Sequence, residues 1–199
     1  MTTRAQSGHH ASPGWVCGIL VGGRARRFGG HPKGLLAAPG GQPIIVQLAS
    51  AFRRAQPDGE VVLLGRNTAY TKLGLPMLDD TSPDLGPIGG LLSLLRYCST
   101  HRADALLLAC DLPHLTSRTL ADLMRQFAAP ATCVQQDGVW QPMVSLYRPL
   151  ACLPVLQQRV EQRQLGLTAA LKALRAHAVQ LDTNRTHEIH DWDCPSDVR

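Results

Sequence analysis

Val16-Cys17-Gly18-Ile19-Leu20-Val21 runs straight into Gly22-Gly23-Arg24-Ala25-Arg26-Arg27-Phe28-Gly29-Gly30-His31-Pro32-Lys33-Gly34, and this stretch decides the fold. The first six residues are a short apolar run without polar alternation, the pattern of a strand buried on both faces. Glycines directly after a strand let the chain turn sharply. They also let main-chain N–H groups approach phosphate oxygens with no Cβ in the way. Arg27 can add a planar fork to such a site and Lys33 a point charge. Two common phosphate loops do not fit. A Walker loop needs GxxxxGK[ST], but Lys33 lies between Pro32 and Gly34, and no GxGxxG falls in register after Gly22. The segment reads as an anion-binding loop of another type.

Outward from this loop, short apolar runs alternate with helical patterns. Glu60 to Leu64 and Pro76 to Leu78 read as strands, and Ala103 to Ala109 (ADALLLA) is the strongest central strand. Pro43 to Arg54 opens with proline and closes with two arginines, which suits a helix. Pro87 to Tyr97 reads as a second helix. Thr116 to Phe127 carries Leu120, Leu123, Met124 and Phe127 at helical spacing behind a Thr/Ser cap. Ala131 to Val134 and Val139 to Tyr147 read as a hairpin around Asp137-Gly138. Leu150 to Val160 and Thr168 to Ala176 are helical, Val179 to Leu181 is a last short strand, and Asp193 to Asp197 starts a capped terminal helix. The alternation predicts one α/β domain of three layers, Rossmann-like, with a mostly parallel twisted sheet. Ligands of such sheets bind beyond the carboxyl ends of the strands.

Composition narrows the function. The 199 residues are 44% hydrophobic and suit a single domain over 15–199, with 1–14 expected to be a disordered tail. No run approaches the roughly 18 apolar residues of a membrane span, and the first residues have no secretory pattern. The expected location is cytoplasmic. A net charge of +5 with 5% aromatic residues does not suggest a nucleic-acid binder. The basic residues gather in the glycine loop, so the expected partner is a small anion. Six cysteines without CxxC spacing read as buried reduced thiols.

The chemistry-bearing acids follow strands. Asp111 ends the central strand in LLLACDLPHL, where it could face the crevice and hold Mg²⁺, or cap the turn before Pro113. Asp80, in Leu78-Asp79-Asp80-Thr81, follows another strand. Asp193, in His190-Asp191-Trp192-Asp193, reads equally as a helix cap beside Pro195. His114 flanks this region, and the Arg-rich stretch from Gln157 to Arg163 reads as a solvated face.

Together, LVGGRARRFGGHPKGLL, the LDD before GPIGGLL, and CDLPHL resemble the molybdenum cofactor guanylyltransferases. These are α/β nucleotidyltransferases with the nucleotide-diphospho-sugar transferase type of fold. The resemblance runs from about Trp15 to the C-terminus. It implies that Leu20, Val21, Gly22 and Gly23 line the nucleotide through their backbone, with Arg27 and Lys33 on its phosphates. It further implies Asp80 near the base or ribose and Asp111 on Mg²⁺. Asp193 becomes a second metal ligand or an acceptor contact, and Gln141 lies on the acceptor side. Relatives usually carry Ala, Met and Asp where Val21, Phe28 and Pro32 stand, and the last change bears on how Lys33 approaches. Leu64 to Asn67 departs from the pattern where a base-facing polar residue is expected. The implied reaction moves GMP from GTP to the molybdopterin form of the cofactor, with transient contacts to cofactor-delivery or molybdoenzyme-assembly proteins. A sister reaction using CTP, or an NTP on a sugar 1-phosphate, stays open. So does a carrier without catalysis.

Overall fold

A computed structural model describes residues 14–22, 28–79, 83–128 and 130–198. The apolar runs become strands β1 (Gly14–Leu20), β2 (Glu60–Leu64), β3 (Met77–Leu78) and β4 (Ala103–Ala109). The hairpin forms as β5 (Ala131–Gln136) and β6 (Val139–Tyr147), and β7 is His177–Val179. Asp137 and Gly138 both take positive φ, 50° and 79°, as a two-residue hairpin turn of this hand requires. The helices are α1 (Ile44–Ala55), α2 (Pro87–His101), α3 (Ser117–Arg125), α4 (Pro149–Glu161) and α5 (Leu167–Ala173).

The seven strands order as β3-β2-β1-β4-β6-β5-β7. β6 runs antiparallel to both its neighbours, and the other pairs are parallel. Strand alternation splits the core into two layers. Leu106 and Leu108 of β4 face one side with Leu48 and Phe52 of α1 and Leu120 and Leu123 of α3. Ala105 and Leu107 face the other with Leu91 and Leu95 of α2, Leu156 of α4 and Leu171 of α5. Gly18 lets α2 pack close, because a Cβ there would stand 2.7 Å from Leu94 Cδ2 and 2.9 Å from Leu64 Cδ1.

Helix and strand ends shift by a few residues from the sequence reading, and other details differ as well. The last strand ends at Val179 rather than starting there, because its pairing partner is β5 at Thr132 to Val134. The expected terminal helix is a single 3-10 turn, Pro195–Asp197. β1 begins at Gly14, inside the expected tail, while residues 1–13 lie outside the described residues. Among the described residues no helix is long and apolar enough to cross a membrane.

All six cysteines are free, five of them buried. Burial pushes the Cys98, Cys110, Cys133 and Cys152 thiols up to about 12 and Cys17 higher still. Since the thiolate is the reacting form, one thiol per native chain, Cys194, is expected to react rapidly with Ellman's reagent. All six should react in denaturant. Two or more fast native thiols would contradict the packing.

Candidate active site

Strand order in the sheet creates the cleft. The chain leaves β1 through α1 toward β2 on one side, whereas the connection from β3 through α2 returns to β4 on the other, and a crevice opens at the carboxyl ends of β1 and β4. The cleft has a volume of ≈ 530 Å³. Its floor is the end of β1 (Leu20, Val21, Gly22) and of β4 (Ala109, Cys110, Asp111). One wall carries Leu64, Asn67, Tyr70, Gly86 and Pro87; the other carries Gln141, Met143 and Val144 from β6, with Ile189 and Asp191.

Lys33 enters from the glycine loop. After Pro32 the chain makes one 3-10 turn, Lys33–Leu35, in which Leu35 N–H donates to the Pro32 carbonyl. Gly34 allows that turn to seat, because a Cβ there would lie 2.6 Å from Ile45 Cδ1 and 3.2 Å from Cys110 Cβ. The Gly34 N–H donates to the hydroxyl of buried Tyr70 at 3.3 Å. From this seat Lys33 Nζ donates to Asp111 Oδ2 at 2.8 Å and to Asp193 Oδ1 at 3.0 Å, and lies 5.6 Å from the Phe28 ring centroid. Partial burial alone would lower the ammonium's pKa. The bonds and charges of the two acids outweigh it and hold Lys33 above its ordinary value, hence cationic at neutral pH. Pro32 thus leaves Lys33 directed at the acids at the end of β4.

Asp111 is not spent on capping the Pro113 turn; its carboxylate bonds Lys33. Asp111, Asp191 and Asp193 each offer a carboxylate oxygen, and these oxygens lie within 4.8 Å of one another. Burial, then the negative charges of Asp193 and Asp111, raises the Asp191 pKa. Three hard oxygen donors, with a lysine already drawn among them, suit a divalent cation. The N-cap of the turn Pro195–Asp197 is Cys194 and not Asp193, and Asp197 Oδ2 reaches back to accept from the N–H groups of Asp193 (2.8 Å) and Cys194 (2.9 Å).

The structure therefore brings together Leu20, Val21, Gly22, Lys33, Asp111, Asp193 and Gln141. Gly23, Arg27 and Asp80 lie outside the described residues. Asp79, beside Asp80, is bound through both carboxylate oxygens by Arg66, and its carbonyl accepts from Ser93 Oγ at 2.8 Å. Asn67 faces the cleft while its side-chain oxygen accepts from Ala69 N–H at 3.0 Å. His114 packs on Trp192 and His187 rather than lining the cleft. Sequence reasoning did not assign Asp191 as a ligand, although a signal was present. Residues two apart on extended backbone share a face, so Asp191 and Asp193 point together while Trp192 between them is buried in the core.

Residues 17–180 match the model of the MobA-like NTP transferase domain. A molybdenum cofactor guanylyltransferase from Pseudomonas putida is 34% identical over 165 residues, covering 81% of this chain and 83% of that one. The solved structure of molybdopterin-guanine dinucleotide biosynthesis protein A from Archaeoglobus fulgidus superposes with a TM-score of 0.71 at 19% identity, over 92% of this chain and 94% of that one. A 4-diphosphocytidyl-2C-methyl-D-erythritol synthase from Anaerococcus prevotii shares the fold, with a TM-score of 0.70 at 8% identity, over 94% and 93%. The match of the family model over residues 17–180, with a relative 34% identical over 81% of the chain, places the protein in the MobA-like NTP transferase family, as a nucleotidyltransferase.

Proposed function

We propose that the chain transfers GMP from GTP to molybdopterin-type molybdenum cofactor with Mg²⁺, releasing pyrophosphate. The observation that carries this reading is the convergence of Lys33 with Asp111, Asp191 and Asp193 at a cleft floored by the carboxyl ends of β1 and β4. The acceptor and the base are taken from the names of the relatives.

A terminal phosphate oxygen of the acceptor bonds to the α-phosphorus of GTP while the bond to the bridging α–β oxygen breaks. Both electrons go to the departing pyrophosphate. Catalysis of such a step is mostly alignment of two anions and offset of negative charge. Leu20, Val21, Gly22 and Gly23 bind the nucleotide through main-chain groups. Arg27 and Lys33 take the phosphates, Lys33 by moving from the acids to the oxygens that gain charge. Asp80 holds the base or ribose, and Gln141 the acceptor. Asp111, Asp193 and Asp191 would hold Mg²⁺, which would supply positive charge to offset that of the phosphates. A carrier would have no use for three acids and a lysine at one point, which favours catalysis.

Nucleotide-dependent stabilisation tests this reading. A ligand at about a hundred times its dissociation constant adds roughly 2.7 kcal/mol, a rise of several degrees in melting temperature for a chain of this size. With Mg²⁺ present, GTP is expected to raise it while CTP, ATP and UTP do not. Stabilisation by CTP alone would move the assignment to the cytidylyl reaction on the same acceptor. No effect from any nucleotide would overturn the transferase.

A further inference from the structure

The carboxylate of Glu188 is buried at 4% exposure, and the chemistry above does not use it. Its Oε2 accepts from the Thr116 N–H at 3.0 Å and from the Thr116 hydroxyl at 2.7 Å. Thr116 is the N-cap of α3, its Oγ1 accepting from Thr119 N–H at 3.3 Å. The anion therefore sits at the positive end of a nine-residue helix and makes charge-assisted bonds there. Burying a carboxylate is costly unless it is bonded in this way, so the joint is directional where apolar packing would not be.

The joint connects two segments of the active site. The loop 111–116 starts at Asp111 and ends at Thr116. The segment 188–193 starts at Glu188 and carries Asp191 and Asp193. The two run in opposite directions and are pinned at both ends, by Glu188 on Thr116 and by the Trp192 N–H on the Asp111 carbonyl at 3.0 Å. Between the pins Leu112, Leu115, Ile189 and Trp192 share one core cluster. Asp191 lies between the pins and Asp193 just beyond the second.

We propose that Glu188 is a positioning residue: its bonds to Thr116 hold the segment bearing Asp191 and Asp193 in register with the loop bearing Asp111, so that the three carboxylates converge. The inference rests on the proposed function for what that convergence binds. Slippage at Thr116 would leave one backbone bond, apolar contacts and the Lys33 bridge from Asp111 to Asp193 to set the register, and the carboxylate oxygens would separate.

Mn²⁺, a probe for oxygen-ligand sites, tests this on the full chain by electron paramagnetic resonance without nucleotide or turnover. Glu188→Ala is expected to weaken Mn²⁺ binding by roughly tenfold, the low end for groups acting behind metal ligands. Glu188→Gln, whose amide oxygen still accepts from Thr116, should recover most of the loss. In an Asp191→Asn background Glu188→Ala should add little, because coupled residues are not additive. A Glu188→Ala protein with a lower melting temperature but unchanged Mn²⁺ affinity would overturn the positioning role. So would an equal loss of affinity in both backgrounds. If Glu188→Ala does not fold, Thr116→Val, which removes the hydroxyl bond to Glu188 together with the cap bond from Thr119 N–H and leaves the main-chain bond to Glu188, carries the same expectation in the same direction. A wild-type chain that binds no Mn²⁺ would instead overturn the metal assignment beneath both readings.

Discussion

Asp111→Asn is expected to lower GMP transfer by about 10³-fold, equivalent to about 4 kcal/mol in the barrier. The substitution keeps the side chain's shape and removes its charge, and two things fail together. The acid cluster loses its least exposed member, Asp111 at 14% against Asp193 at 59%, and Lys33 loses its 2.8 Å partner. Lys33→Ala, which deletes a cation that offsets developing negative charge, is expected to cost on the order of 10² to 10³. Pyrophosphate release with GTP, Mg²⁺ and molybdopterin measures both. A non-catalytic carrier would keep its nucleotide-induced stabilisation in Asp111→Asn; a transferase loses turnover. An Asp111→Asn rate within threefold of wild type would remove Asp111 from the chemistry.

Leu106→Ala carries the largest expected loss of stability. Leu106 is fully buried in the middle of β4, between β1 and β6, with Leu146 as its partner across the antiparallel pair. The layer above it, formed by α1 and α3, is anchored from several elements and can collapse only in part. Truncation there is expected to cost about 3 kcal/mol, which for a chain of this length lowers the melting temperature by roughly 6 to 12 °C. Leu107→Ala, on the opposite face of the same strand, should cost a similar amount, because that face is packed by α2. A fall of less than 2 °C for Leu106→Ala would contradict a two-sided core around β4.

Much of the architecture follows from local rules that this chain obeys. Glu60 to Leu64 and Ala103 to Ala109 are strands at the bounds read from their apolar runs, since a run flanked by turn residues can be buried in few other ways. Thr116 caps α3 as its side-chain chemistry predicts, and Asp137-Gly138 turns the hairpin because it tolerates positive φ. The 3-10 turns at Lys33–Leu35 and Thr183–Ile189 were not legible. Turns this short are set by what they pack against, such as Ile45 and Cys110 beneath Gly34, and not by periodicity.

Read along the chain, the residues carry the layer type, the central strand and a glycine-rich segment after the first strand, and they single out Lys33 and Asp111 as candidates. These are properties of short stretches, whose periodicity, glycine content and charge are read within a dozen residues. Only the tertiary structure decided where Lys33 points, that Asp191 joins Asp111 and Asp193, and that Glu188 fastens their segment to α3. Those contacts span 72 to 160 residues of chain. Their reach is set by strand order and core packing, which bring chain-distant carboxylates within a few ångströms.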